Sequence, residues 1–122
     1  MSFFKKLFGK KEPTDHGMDE HLVRVHIPIQ SDMPTTEEFD RYVDLEDILG
    51  DAAVATGVGE LDGNEVGGGE YTIWLYGKSA APLAEVVKAE LAKHSLPTGS
   101  FLFVRHGGVE DETAREERIH LD

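Results

Sequence analysis

Residues 57–70, Gly-Val-Gly-Glu-Leu-Asp-Gly-Asn-Glu-Val-Gly-Gly-Gly-Glu, hold the densest set of side chains able to do chemistry. Glu60, Asp62, Asn64, Glu65 and Glu70 supply five oxygen-bearing side chains within eleven positions, the hard ligand class that Ca²⁺ or Mg²⁺ takes. The glycines around them let a chain turn sharply and present its carbonyls. The spacing departs from an EF-hand loop, which needs a glycine at its sixth position and a glutamate at its twelfth. A solvated hairpin, with glycines supplying turns and bulges, accounts for the same residues. An acidic hairpin also suits a basic protein partner. Gly67 to Gly69 make a poor phosphate loop, because a strand pattern follows them and no Gly-Lys-Ser/Thr is present.

Other constellations are weaker. Of the six histidines, His16 and His21 flank a polar linker, His26 lies in an alternating run, and His94, His106 and His120 are scattered. None forms a His-x-x-x-His pair or a His-Glu-x-x-His motif, so solvated or structural roles are expected. Gly99-Ser100-Phe101 is no nucleophile elbow. The chain has no cysteine, which excludes a thiol nucleophile, a disulfide framework and cysteine-ligated metals. Paired carboxylates abound only because acids abound. The expectation is a domain without enzymatic activity and without a cofactor.

These groups sit on a chain of divided charge. Met1 to Lys11 contain four lysines and no acid, while the other 111 residues carry 24 acids against 8 bases, a formal −16 behind a +4 leader. The sequence pI near 4.8 disfavours nucleic acid as a partner, since phosphate rewards positive surfaces. At 122 residues the chain is one domain with a modest core. No apolar run reaches the ~18–20 residues of a spanning helix, and the lysine-broken start is no signal peptide. A cytoplasmic location is expected. Phe3, Phe4, Leu7 and Phe8 recur at helical spacing among the lysines, which makes them candidates for weak contact with a membrane surface. Residues 1–20 read as this leader and a polar linker, and residues 21–122 as the domain.

His21 to Ile29 alternates as a first strand that Pro28 ends. Thr35 to Glu38 is a capping box opening a helix, with Phe39, Tyr42, Val43, Ile48 and Leu49 on its buried side and Gly50 as a stop. Ala53 to Leu61 reads as a small-residue strand and Tyr71 to Tyr76 as a stronger one. The Asp62-Gly63-Asn64 turn, with Gly67, Gly68 and Gly69, lies between them, and two such runs around Asp-Gly make an antiparallel hairpin. Ser79 opens a second helix with Pro82 in its first turn and Leu83, Val87 and Leu91 as its stripe. Ser100 to His106 is the next strand, and Glu117 to Leu121 a short last one. Strand, helix, strand, strand, helix, strand is the α+β, ferredoxin-like βαββαβ arrangement: an antiparallel sheet with two helices on one face, here with an extra C-terminal strand.

Alternation also sorts the sheet's faces. With Val23, Val25, Ile27, Tyr71, Ile73 and Leu75 under the helices, the open face carries Arg24, His26, Thr72, Trp74 and Tyr76. Burying Leu102 and Val104 adds Phe101, Phe103 and Arg105. Such a platform resembles an RNA-recognition surface, but the net charge and the absence of the Lys/Arg-Gly-Phe motif oppose that reading. A cover for the aromatics is expected: a second copy of the chain, the last strand, or the leader.

The run Asp62-Gly63-Asn64-Glu65, then Gly69-Glu70, then an apolar strand ending Tyr76-Gly77, is similar to a pattern in small uncharacterised bacterial domains. Arg115-Glu116-Glu117-Arg118-Ile119 resembles their ending. The resemblance covers residues 53–121. It implies a ferredoxin-like domain and brings no catalytic residue. The expected function is protein–protein interaction through Glu60, Asp62, Asn64, Glu65, Glu70, Trp74 and Tyr76, joined by Glu110, Asp111 and Glu112, with a basic partner in an immunity or inhibitor type of role. The alternative is a sensor of a small ligand or divalent ion.

Overall fold

The computed structural model describes residues 19–121; the leader candidates Phe3, Phe4, Leu7 and Phe8 lie outside them. The elements are β1 (His21–Pro28), α1 (Thr36–Ala55), β2 (Glu60–Gly67), β3 (Glu70–Gly77), α2 (Ala80–Leu91), β4 (Phe101–His106) and β5 (Arg115–His120). The five strands form one antiparallel sheet in the order β2-β3-β1-β4-β5. The fold is α+β, with the core between the sheet and two helices.

Alternation in the strands sets that core. Val23, Val25 and Ile27 of β1, Tyr71, Ile73 and Leu75 of β3, and Leu102 and Val104 of β4 are buried together with Tyr42, Leu45, Leu49 and Ala53 of α1 and Leu83, Val87 and Leu91 of α2. In β4 the helix-facing pair is thus the aliphatic Leu102 and Val104, and Phe101 and Phe103 fall on the other side.

The capping box at the start of α1 is complete. The Thr35 hydroxyl accepts from the Glu38 amide at 3.0 Å, and the Glu38 carboxylate accepts from the Thr35 amide at 2.9 Å. Glu38 also accepts from the Gln30 amide. These backbone donors hold its carboxyl below the usual glutamate range.

Four local expectations are corrected. Tyr42 and Leu49 of α1 are buried, but Phe39 and Ile48 are exposed, at 44% and 38%. Ala53 to Leu61 does not form a strand: α1 runs on through Ala55 and β2 begins only at Glu60. The stretch Ala52-Ala53-Val54-Ala55 is rich in the best helix former, and its small size carries no strand periodicity. Gly50 is no stop; a Cβ there would stand 3.0 Å from the Leu61 Cβ, so the missing side chain lets α1 approach β2. Finally, the hairpin turns at Gly68 and Gly69, with φ of +61° and +85°, the two-residue geometry that wants glycine at both central positions. Asp62 and Gly63 lie instead at a bulge in β2, where the register shifts between Leu61 and Gly63.

Candidate binding face

Among the described residues no helix covers the side of the sheet opposite the core. Its centre is Arg24 on β1, flanked across the ladders by Trp74 on β3 and Phe103 on β4. The Arg24 guanidinium carbon lies 5.0 Å from the centroid of Trp74 and 4.4 Å from that of Phe103. Both distances suit cation–π attraction. Arg24 Nε donates to His26 Nε2 at 2.8 Å. With Nε2 accepting, the single proton of a neutral His26 must sit on Nδ1, which lies 3.1 Å from Glu70 Oε1 and donates to it. His26 in turn stacks flat on Phe101, with centroids 4.3 Å apart and planes at 6°. Arg118 of β5 covers the neighbourhood of the same ring at 3.7 Å.

Burial has an electrostatic cost here. Desolvation lowers the Arg24 pKa, opposed by Glu65, Tyr76, Glu70 and Glu116. It lowers that of His26 too, against the hydrogen bond that His26 donates to Glu70. Tyr76 is pushed up to about 12 by burial, with Asp62 adding to the rise. The floor is therefore a half-buried aromatic and cationic surface in a field of nearby carboxylates.

The two halves of the face differ in sign. On the β2–β3 half, Glu60 pairs opposite Tyr76, Glu65 opposite Thr72, and Glu70 opposite both Gly67 and Pro28. On the β4–β5 half, Arg118 stands opposite Phe103 and Glu116 opposite Arg105. Arg105 Nη1 bonds Glu116 at 2.6 Å, and its Nη2 donates to the carbonyls of Gly108 and Asp111. Arg105 is thereby committed to pinning the β4–β5 loop.

Of the residues singled out in the sequence, the fold brings Glu60, Glu65, Glu70, Trp74 and Tyr76 onto this one face. Asp62 sits at its margin, in the bulge. Asn64 turns to the helix side: after the bulge it pairs opposite Ile73, and its Nδ2 donates to Glu46 Oε1 of α1 at 2.9 Å. The Tyr71 hydroxyl donates to the same oxygen at 2.6 Å. This buried cluster ties β2 and β3 to α1 and so fixes the strands that bear the acidic margin. Glu110, Asp111 and Glu112 belong to the exposed β4–β5 loop, away from the hairpin.

Two parts of the face were not among the sequence candidates. The His26–Glu70 pair depends on β1 and β3 being neighbours, and the Arg118–Phe101 contact on β5 pairing with β4. Alternation placed His26 on the open face, but only the register brings Glu70 to it. Elsewhere, His106 Nε2 meets Glu117 at 2.5 Å and Arg115 meets the same carboxylate at 2.7 Å; these contacts hold the His106 end of β4 to β5. Among the described residues no group of three or more histidine, aspartate or glutamate side chains is set to hold a metal ion, and no helix is long and apolar enough to cross a membrane.

No protein-family model, curated protein or solved structure matches this chain.

Proposed function

We propose that this domain is a non-enzymatic protein-binding module that receives a basic, apolar-studded segment of a partner protein on the open face of its sheet. The observation that carries the reading is the pairing of an aromatic floor, Trp74–Arg24–Phe103, with the acidic margin formed by Glu60, Asp62, Glu65 and Glu70. Interface centres favour aromatic residues and arginine. Carboxylates at the rim attract lysines and set the register of the bound segment. Arg118 on the far half, beside an Arg105 already paired with Glu116, disfavours lysines there and steers such a segment toward β2 and β3. A role as an inhibitor or immunity-type protein, masking a basic partner, suits the charge of −12.

We further infer a ferredoxin-like architecture with one strand added. It is supported by helices that follow β1 and β3 and by the strand order β2-β3-β1-β4 beneath them; β5 extends the sheet beyond β4.

Trp74 is the only tryptophan and lies in the floor itself. Its emission therefore reports occupancy directly. Titration with a synthetic peptide of alternating lysine and phenylalanine should change Trp74 emission at low salt. The change should fade as the Debye length falls from ~10 Å at 0.1 M to ~3 Å at 1 M. Glu65→Lys, at an exposed rim position, should weaken binding about tenfold by replacing attraction with repulsion. Binding that ignores salt and Glu65→Lys, or that leaves Trp74 unchanged, would overturn the reading.

A further inference from the structure

The sequence itself contains one segment of the chemistry this face selects. Met1 to Lys11 carry four lysines and no acid, with Phe3, Phe4, Leu7 and Phe8 among them. We propose that this segment is the resident occupant of the open face, docked in cis over the β2–β3 half, so that an external partner must displace it. The inference rests on the reading of the face as a site for a basic, apolar-studded segment, and it names that segment.

Charge is the first argument. The described domain is strongly acidic, and on this face the carboxylates gather at the β2–β3 margin, where Glu60, Glu65 and Glu70 stand in register with Tyr76, Thr72 and Gly67. Lysines held there meet carboxylates, while their phenylalanines meet Trp74 and Tyr76. On the opposite half Arg105 is paired with Glu116, and Arg118 over Phe101 adds a positive charge that disfavours lysines there. The segment thus has one favoured half of the face and one favoured sign of neighbour.

Reach is the second. Nine residues, Glu12 to Glu20, join the segment to β1. The strand starts beside the target: His21 pairs with Gly77, Leu22 with Tyr76 and Arg24 with Trp74. One strand spacing and a few residues' rise put the floor about 10 Å from the point where the tether arrives. A nine-residue tether reaches about 30 Å when extended and averages about 16 Å if it behaves as a flexible coil. A short tether of this kind gives an effective concentration on the order of millimolar. A contact with a millimolar dissociation constant, filled between separate molecules only when one of them is present at millimolar concentration, is therefore about half filled in cis.

The test uses the full chain and the accessibility of Trp74 to acrylamide. In one variant Lys5, Lys6, Lys10 and Lys11 are all replaced by glutamate. The expected result is a Trp74 quenching constant at least about twofold higher in the variant than in the wild type at low salt, as loss of a millimolar-scale tethered contact implies. High salt should raise the wild type to the variant's value. A synthetic peptide of residues 1–11, added to the variant, should restore protection. Equal quenching in both chains, with the peptide still protecting Trp74, would overturn the cis occupant and leave the binding face standing. Failure of the peptide to protect would remove the binding face as well. Protection that grows with protein concentration would make a second copy the occupant and overturn the proposal. So would Trp74 quenching insensitive to the four substitutions, together with lysine-dependent co-sedimentation on phosphatidylserine vesicles, which would make the segment a membrane contact.

Discussion

Removing the Tyr71 hydroxyl is the sharpest perturbation of the structure that carries the face. Tyr71 is fully buried, and its hydroxyl donates to Glu46 Oε1 at 2.6 Å, beside the Asn64 amide at 2.9 Å. Burial and the adjacent carboxylate of Glu46 raise the Tyr71 pKa far above the ordinary tyrosine range, so the hydroxyl stays a donor. Tyr71→Phe deletes one of these two donors to a buried carboxylate while preserving the ring. A hydrogen bond to a charged group contributes about 1.5–3 kcal/mol, so the loss should be about 2 kcal/mol. For a domain of this size 1 kcal/mol moves the thermal midpoint by roughly 4–8 °C, which predicts a drop of about 10 °C. Tyr42→Phe is the control: Tyr42 is 1% exposed and packs against Tyr71 with centroids 5.6 Å apart. Deletion of its hydroxyl should cost less than about 1 kcal/mol, because no partner comparable to Glu46 is lost. Thermal and guanidinium unfolding followed by circular dichroism would measure both. A Tyr71→Phe domain as stable as Tyr42→Phe would refute the claim that this cluster anchors the hairpin.

Thr35→Ala should cost about 1 kcal/mol by removing the hydroxyl half of the capping box, read as a lower denaturation midpoint with an unchanged slope. Gly77→Ala should cost at least about 1–3 kcal/mol, because a Cβ there would overlap the Val58 carbonyl, whereas Gly57→Ala meets no neighbour and tests left-handed strain alone. His26 has a folded pKa below its ordinary 6.5. Its stabilising contribution is therefore full above 6.5 and is lost as the pH falls from there toward the depressed folded value. Protonation also turns Nε2 into a donor facing Arg24 Nε, which forces the guanidinium off its 2.8 Å contact. The wild type should lose more thermal stability than His26→Gln over that interval, with a Trp74 emission change that the variant lacks; parallel pH curves would contradict the assignment.

Much of this was legible in the chain because local chemistry and global packing agree there. The Thr35–Glu38 box needs only four residues, and the alternation of β1, β3 and β4 sorts the core-facing residues from those of the open face without knowledge of strand order. Residues 50–64 were harder to read. Alanine, valine and glycine fit helix and strand alike in that stretch, and a glycine marking close helix–strand approach looks like a helix stop. A bulge then reverses which side each later residue faces, so Asn64 joins Glu46 rather than the acidic margin. The contacts of Arg24, His26 and Arg118 depend on register between distant strands, which composition and spacing do not encode. β5, Arg-Glu-Glu-Arg-Ile-His, has almost no apolar pattern, as suits an edge strand protected by charge.

The most direct measurement is backbone and indole nitrogen–proton NMR of the full chain, carrying glutamates at Lys5, Lys6, Lys10 and Lys11, titrated with the peptide of residues 1–11. The largest shifts should fall on the Trp74 indole and on the amides of β3 and β2 from Glu60 to Tyr76, with α2 and the outer side of α1 unmoved. Shifts centred instead on the exposed acids of α1, Glu37, Asp40, Asp44, Asp47 and Asp51, would show that charge alone attracts the segment and would contradict the open face as the binding surface.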